Sequence, residues 1–95
     1  MLTFSVRLIV EKDGKLLFLR QTKKNGRKYS LIGGNVEDHE FAREALAREA
    51  REESGIEVSP KDMSLTHVLH RHKLKKDQVF LVLYFKAERF RGEPA

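Results

Sequence analysis

Between Glu37 and Glu53 the chain carries seven of its fourteen acids, Glu37, Asp38, Glu40, Glu44, Glu49, Glu52 and Glu53. An apolar stripe of Ala42, Ala45, Leu46 and Ala50 runs through the same segment at helical spacing. The stripe is built of small side chains, so the helix can lie close against a sheet. The pattern predicts a helix over 39–53, with Asp38 as its N-cap and the acids nearby suiting the positive helix end. Gly55 stands where a C-terminal glycine belongs.

The flanking segments alternate instead. Phe4, Val6, Leu8 and Val10 predict a strand over 3–11 with one apolar face. Lys12-Asp13-Gly14-Lys15 reads as a hairpin turn, and residues 16–20 return as a second strand. Residues 22–28 form a polar loop with Lys23, Lys24, Arg27 and Lys28. Residues 29–32 make a short strand that Gly33-Gly34 is expected to stop. Beyond the helix, Pro60 breaks a loop, residues 64–74 read as a strand, 75–77 as a turn, and 78–88 as a buried strand. Strands, helix, strands in that order give an α+β class, a mixed sheet with a helix packed on it.

Composition sets the outer limits. The 95 residues suit one domain, 1–95, and 40% apolar content is too high for a disordered chain. No cysteine is present, which removes disulfides, thiolate metal sites and a cysteine nucleophile, and fits a reducing, cytoplasmic setting. Apolar runs such as 79–85 are too short for a membrane helix, and the first residues lack a charged leader followed by an apolar stretch. The net charge is +5, yet the acidic segment, with Arg43, Arg48 and Arg51, stands at −4 and the remainder at +9. A basic protein suggests a polyanionic partner, which the acidic block would repel unless cations lay between them.

Glu49, Glu52 and Glu53 stand at i, i+3 and i+4, so three carboxylates share one helix face near its C-terminal end. They repel one another there, and the helix dipole prefers cations at that end. A hard divalent cation resolves the conflict: Mg²⁺ takes oxygen ligands and is commonly shared between carboxylates and substrate phosphates. Arg48 lies four residues before Glu52 and can pair with a carboxylate, and Glu40, Glu44 and Arg48 form a second row on the helix. By itself such a cluster reads as a solvated charged face. The glycines before the helix do not make a phosphate loop, because no Gly-Lys-Ser/Thr follows.

The longer spacing is more specific. From Gly34 the chain runs Gly34-x5-Glu40-x7-Arg48-Glu49-Ala50-x-Glu52-Glu53-x-Gly55-Ile56. This resembles the Nudix box, G-x5-E-x7-R-E-U-x-E-E-x-G-U with U apolar, at all seven fixed residues. Seven such matches arise by chance on the order of 10⁻⁸ to 10⁻⁷ at this composition. The lead-in, Tyr29-Ser30-Leu31-Ile32-Gly33-Gly34, is also similar, with Ile32 where proline is commoner. The resemblance implies a Nudix (MutT-like) α/β/α sandwich. It implies hydrolysis of a nucleoside diphosphate linked to another group, with Mg²⁺ or Mn²⁺. By position it implies Glu49, Glu52, Glu53 and the carbonyl of Gly33 as metal ligands. Glu49 is the implied water-activating group, with Glu52 and Arg48 beside it in the catalytic set and Arg48 orienting Glu49. Gly34, Glu40 and Gly55 are implied supports of the site.

Other features are less pointed. Arg20, Lys28 and Tyr84 are candidates for substrate binding; the basic loop of Lys23, Lys24, Arg27 and Lys28 reads equally as a solvated loop. Phe80, Val82, Tyr84 and Phe85 read as core. Strand periodicity puts only His70 and His72, of the three histidines with His67, on one face, with no third ligand for zinc. The stretch 57–74 lacks the tyrosine and the suitably placed proline that mark two family subgroups. Nudix domains usually continue with another strand and a C-terminal helix, so one sheet face is expected to be uncovered, a condition that favours a homodimer. The leading reading is a pyrophosphohydrolase. A weakly active nucleotide-binding or interaction module is the alternative, and RNA binding through the basic loops is a third and weaker reading.

Overall fold

A computed structural model describes residues 2–20 and 29–93, apart from the side chain of Arg20. The loop of Lys23, Lys24, Arg27 and Lys28 lies outside the described residues.

β1 (Leu2–Ile9) is the strand that the alternation predicts. Val6 and Leu8 are fully buried and Val10 nearly so, while Phe4 is 36% exposed, so the apolar face thins toward the chain start. β2 (Glu11–Lys12) and β3 (Lys15–Leu16) form the expected hairpin. Asp13 and Gly14 both take positive φ, 53° and 76°, the geometry that a two-residue turn between twisted strands requires. β4 (Leu19–Arg20) pairs antiparallel with β5 (Tyr29–Ser30).

The two glycines do not stop a strand. They lie inside β6 (Ile32–Asn35), antiparallel to β1 with Gly33 opposite Arg7 and Gly34 opposite Val6. A Cβ on Gly33 would sit 2.1 Å from the Val6 carbonyl oxygen, so the absence of a side chain serves close approach, not a turn.

α1 (Ala42–Ser54) starts three residues later than the pattern predicts. His39 takes φ 69°, which a right-handed helix cannot contain, and the Glu40 N–H bonds the Glu37 carbonyl at 3.2 Å in a preceding turn. Asp38 therefore is not the cap. Phe41 holds the N-cap position, and Glu44 accepts its backbone N–H at 3.3 Å, half of a capping box. At the other end Gly55 adopts φ 79° and donates to the Arg51 carbonyl at 3.1 Å, as its position in the sequence implies. Ala45, Leu46 and Ala50 are fully buried against the sheet.

A 3₁₀ turn over Pro60–Asp62 leads into β7 (Met63–Lys73), and a second over Leu74–Lys76 leads into β8 (Gln78–Ala87). The main sheet has the order β6-β1-β8-β7, with β1 and β8 parallel and the outer pairs antiparallel. This is the mixed sheet with one packed helix that the α+β reading predicts. β7 bulges between Leu65 and His67. Its register puts His70 and His72 opposite Leu81 and Val79, and His67 opposite Tyr84 on the other face. β8 is only half-buried along most of its length; of the four aromatic and aliphatic residues read as core, only Phe85 is buried.

The helix covers one face of the sheet. On the other, Ile9, Leu16, Phe18, Leu31, Leu69 and Tyr84 line an apolar hollow of about 460 Å³, and no helix among the described residues covers it. No helix there is long and apolar enough to cross a membrane.

Candidate active site

α1 packs on β6 and β1, which brings its charged edge to the free edge of β6. Arg48 organises that edge. Its Nε donates to Glu40 Oε2 at 2.7 Å and its Nη2 to Glu40 Oε1 at 3.2 Å, a forked pair. Its Nη1 donates to Glu49 Oε1 at 2.9 Å and to Glu52 Oε2 at 3.3 Å, and Glu37 lies 3.7 Å away. Glu40, contributing most, with Glu49 and Glu37 holds the guanidinium firmly protonated against the opposing effect of burial. In return the Arg48 guanidinium, with the Glu37 N–H, holds the Glu40 carboxyl below the usual carboxylate range. Glu40 thus ties the turn before the helix to the middle of the helix.

Glu53 sits on the other side of Glu49. Its Oε1 accepts the backbone N–H of Gly33 at 3.0 Å. Burial pushes its pKa up, and the neighbouring Glu49 adds to this through its charge and a direct carboxylate contact; the Gly33 N–H and the charge of Arg7 pull the other way. Val36 donates to the Phe4 carbonyl at 3.0 Å, which sets the alternation of the β1–β6 ladder. Gly33 and Arg7 consequently form a non-hydrogen-bonded pair, and the N–H and C=O of Gly33 both face the free edge, beside Glu53. Gly34 gives Glu49 its room: a Cβ there would stand 2.9 Å from Glu49 Oε1.

The glutamates do not all converge. Glu49 and Glu53 meet, whereas Glu52 is 57% exposed and turned toward Arg48. Among the described residues no three His, Cys, Asp or Glu side chains form a ready metal set, the three histidines included. The donor chemistry nonetheless fits a hard cation. Two carboxylates pressed together, with a carbonyl on the same edge, match an ion bound through one or two carboxylates, waters and substrate phosphates better than one in an all-protein cage.

Tyr84 lies on the sheet face away from α1, its ring edge-on to His67 at 6.4 Å, and not with the carboxylates. Lys28 lies outside the described residues, and of Arg20 only the backbone in β4 is described. Two groups escape a reading of the sequence. The Gly33 N–H is a main-chain donor without a motif of its own. Arg7 is a lone cation in an apolar strand, and only the register of strands 26 residues apart brings it over Gly33.

The comparisons agree with this architecture. The family model for the NUDIX domain matches residues 1–95. A CTP pyrophosphohydrolase of Escherichia coli K12 is 34% identical over a 76-residue alignment that covers 70% of this chain and 56% of that protein. The chain therefore spans little more than half the length of this relative. Among solved structures, the E. coli ORF135 protein superposes with a TM-score of 0.82 at 27% identity, over 99% of this chain and 66% of that one. A MutT NUDIX hydrolase from Burkholderia pseudomallei gives 0.82 at 23% identity, over 100% and 73%, a likeness of fold. With Arg48 joining Glu40, Glu49 and Glu52 of the box beside the free edge of β6, the chain belongs to the NUDIX domain family.

Proposed function

We propose that this chain hydrolyses a phosphoanhydride bond in a nucleoside diphosphate linked to a further group, in the presence of Mg²⁺ or Mn²⁺. The observation that carries the reading is that Glu53 reaches the outward-facing backbone of Gly33 while Glu49 lies against Gly34, with Arg48 bracing Glu49. The E. coli relative's name, CTP pyrophosphohydrolase, favours a nucleotide substrate; a nucleoside triphosphate is the case in which the further group is phosphate.

Glu49, Glu53 and the Gly33 carbonyl would hold the ion, with Glu52 joining after a side-chain rotation away from Arg48. When bound, the ion supplies the positive charge that lets a diphosphate lie against an acidic helix. The chain's own groups do the rest. Arg48 fixes the Glu49 carboxylate through Nη1, so that it is placed to accept a proton from water attacking phosphorus. The attacking oxygen bonds to phosphorus, the bridging P–O bond breaks, and the leaving phosphate carries away the electron pair. Glu40 holds Arg48 in place for this from the turn before the helix.

The test is product analysis on a panel of nucleoside triphosphates and diphosphate derivatives with each metal. Metal-dependent release of a nucleoside monophosphate, lost in Glu49→Gln, supports the reading. An inactive wild type that still binds nucleotides tightly would favour the alternative of a binding module.

A further inference from the structure

The diphosphate that this reading brings to an acidic edge needs cationic contacts from the protein, and Arg48 is already committed to four carboxylates. Arg7 is differently placed. Its side chain passes over Gly33, with Nη1 2.7 Å and Cδ 2.9 Å from the point where a Cβ of Gly33 would stand. Nη1 donates to the Val6 carbonyl at 3.0 Å, which anchors the guanidinium by one of its five donors. Among the described residues no carboxylate lies within ion-pairing distance of it. The bare glycine thus serves two ends: its N–H and C=O face the carboxylates, and its missing side chain admits an arginine from the next strand. A half-buried, main-chain-anchored guanidinium with donors to spare, next to a site for a polyanion, suits forked contact with phosphate oxygens.

We propose that Arg7 is a substrate-binding residue that contacts a phosphate of the diphosphate across Gly33. The proposal rests on the phosphoanhydride reading above. It assigns to this chain a phosphate contact on the strand beside the box, outside the box itself.

The experiment is calorimetric titration with a non-hydrolysable α,β-methylene nucleotide and Mg²⁺, on wild type, Arg7→Gln and Arg7→Lys. Mn²⁺ titration without nucleotide runs in parallel, and far-UV circular dichroism checks that each variant is folded. The expected result is analogue affinity reduced about tenfold or more in Arg7→Gln, as for the loss of a charge-assisted hydrogen bond to phosphate. Arg7→Lys should recover part of it, and Mn²⁺ affinity in Arg7→Gln should not fall. In turnover the loss should fall on KM more than on kcat. Wild-type binding that Arg7→Gln leaves intact overturns the proposal alone. So does a loss of Mn²⁺ affinity as large as the loss for the analogue, since Arg7 would then act through Glu53. A wild type that binds no analogue brings down the phosphoanhydride reading together with the proposal.

Discussion

Two adjacent glycines should respond in opposite ways to the addition of one methyl group. In Gly33→Ala the new Cβ would stand 2.1 Å from the Val6 carbonyl oxygen and 2.7 Å from Arg7 Nη1. Carbon and oxygen normally approach no closer than about 3.3 Å, so the main chain must retreat by roughly 1 Å. The obstacle is backbone within the β1–β6 pairing, where Val6 lies opposite Gly34, and it cannot rotate aside. Overpacking costs about 1–3 kcal/mol, and each weakened ladder bond adds about 1 kcal/mol. The expected loss is about 3 kcal/mol, a large share of the roughly 5–15 kcal/mol available to a domain, with a Tm lower by about 10–20 °C. In Gly34→Ala the Cβ meets the end of a side chain, Glu49 Oε1 at 2.9 Å and Cδ at 3.1 Å. That carboxylate can swing away, so stability should change by less than about 1 kcal/mol. Hydrolysis should fall at least tenfold, because Glu49 leaves its contact with Arg48. Urea unfolding followed by circular dichroism, with phosphate release on the same samples, reads both effects. Gly33→Ala within about 0.5 kcal/mol of wild type, or Gly34→Ala as the less stable of the two, would refute the reasoning.

Three other outcomes are expected. Leu46 is fully buried beneath the helix, so Leu46→Ala should lose about 2–5 kcal/mol in urea unfolding; a loss below 1 kcal/mol would place the core elsewhere. Glu40 is held below its ordinary pKa by Arg48, so its contribution to stability is complete above about pH 4.3 and disappears as pH falls through its lower folded value. The urea midpoints of wild type and Glu40→Gln should therefore converge on acidification; a constant difference from pH 7 to pH 2 would contradict the pairing. Glu52→Gln and Glu53→Gln should each lower metal-dependent turnover by orders of magnitude while the circular dichroism spectrum persists, and retained activity in either counts against its assignment as a ligand.

Much of the fold is written locally, which is why the sequence reveals it. β1 and α1 announce themselves through burial at periods of two and three to four residues, and Asp13-Gly14 and Gly55 are turn and cap positions that need positive φ. The failures have physical causes as well. Asp38 is a good N-cap by type, but His39 takes a left-handed conformation and Glu40 turns back to the Glu37 N–H, so the helix cannot begin there. Gly33 and Gly34 look like a strand stop because glycine usually breaks strands; their role depends on Val6, Arg7 and Glu49, which approach only in the folded chain. The site was legible as a spacing, since i, i+3 and i+4 put the glutamates on one face. Which of them meet was not: Arg48 draws Glu52 one way, and the Gly33 N–H draws Glu53 the other.

Glu49 and Glu53 are expected to bind one divalent ion together. Mn²⁺ binding followed by water-proton relaxation, on wild type, Glu49→Gln, Glu53→Gln and the double variant, measures this directly. The prediction is one class of tight sites in wild type, weakened at least tenfold by either single change and no further by the second than a shared site allows. Equal Mn²⁺ binding in wild type and the double variant would contradict it.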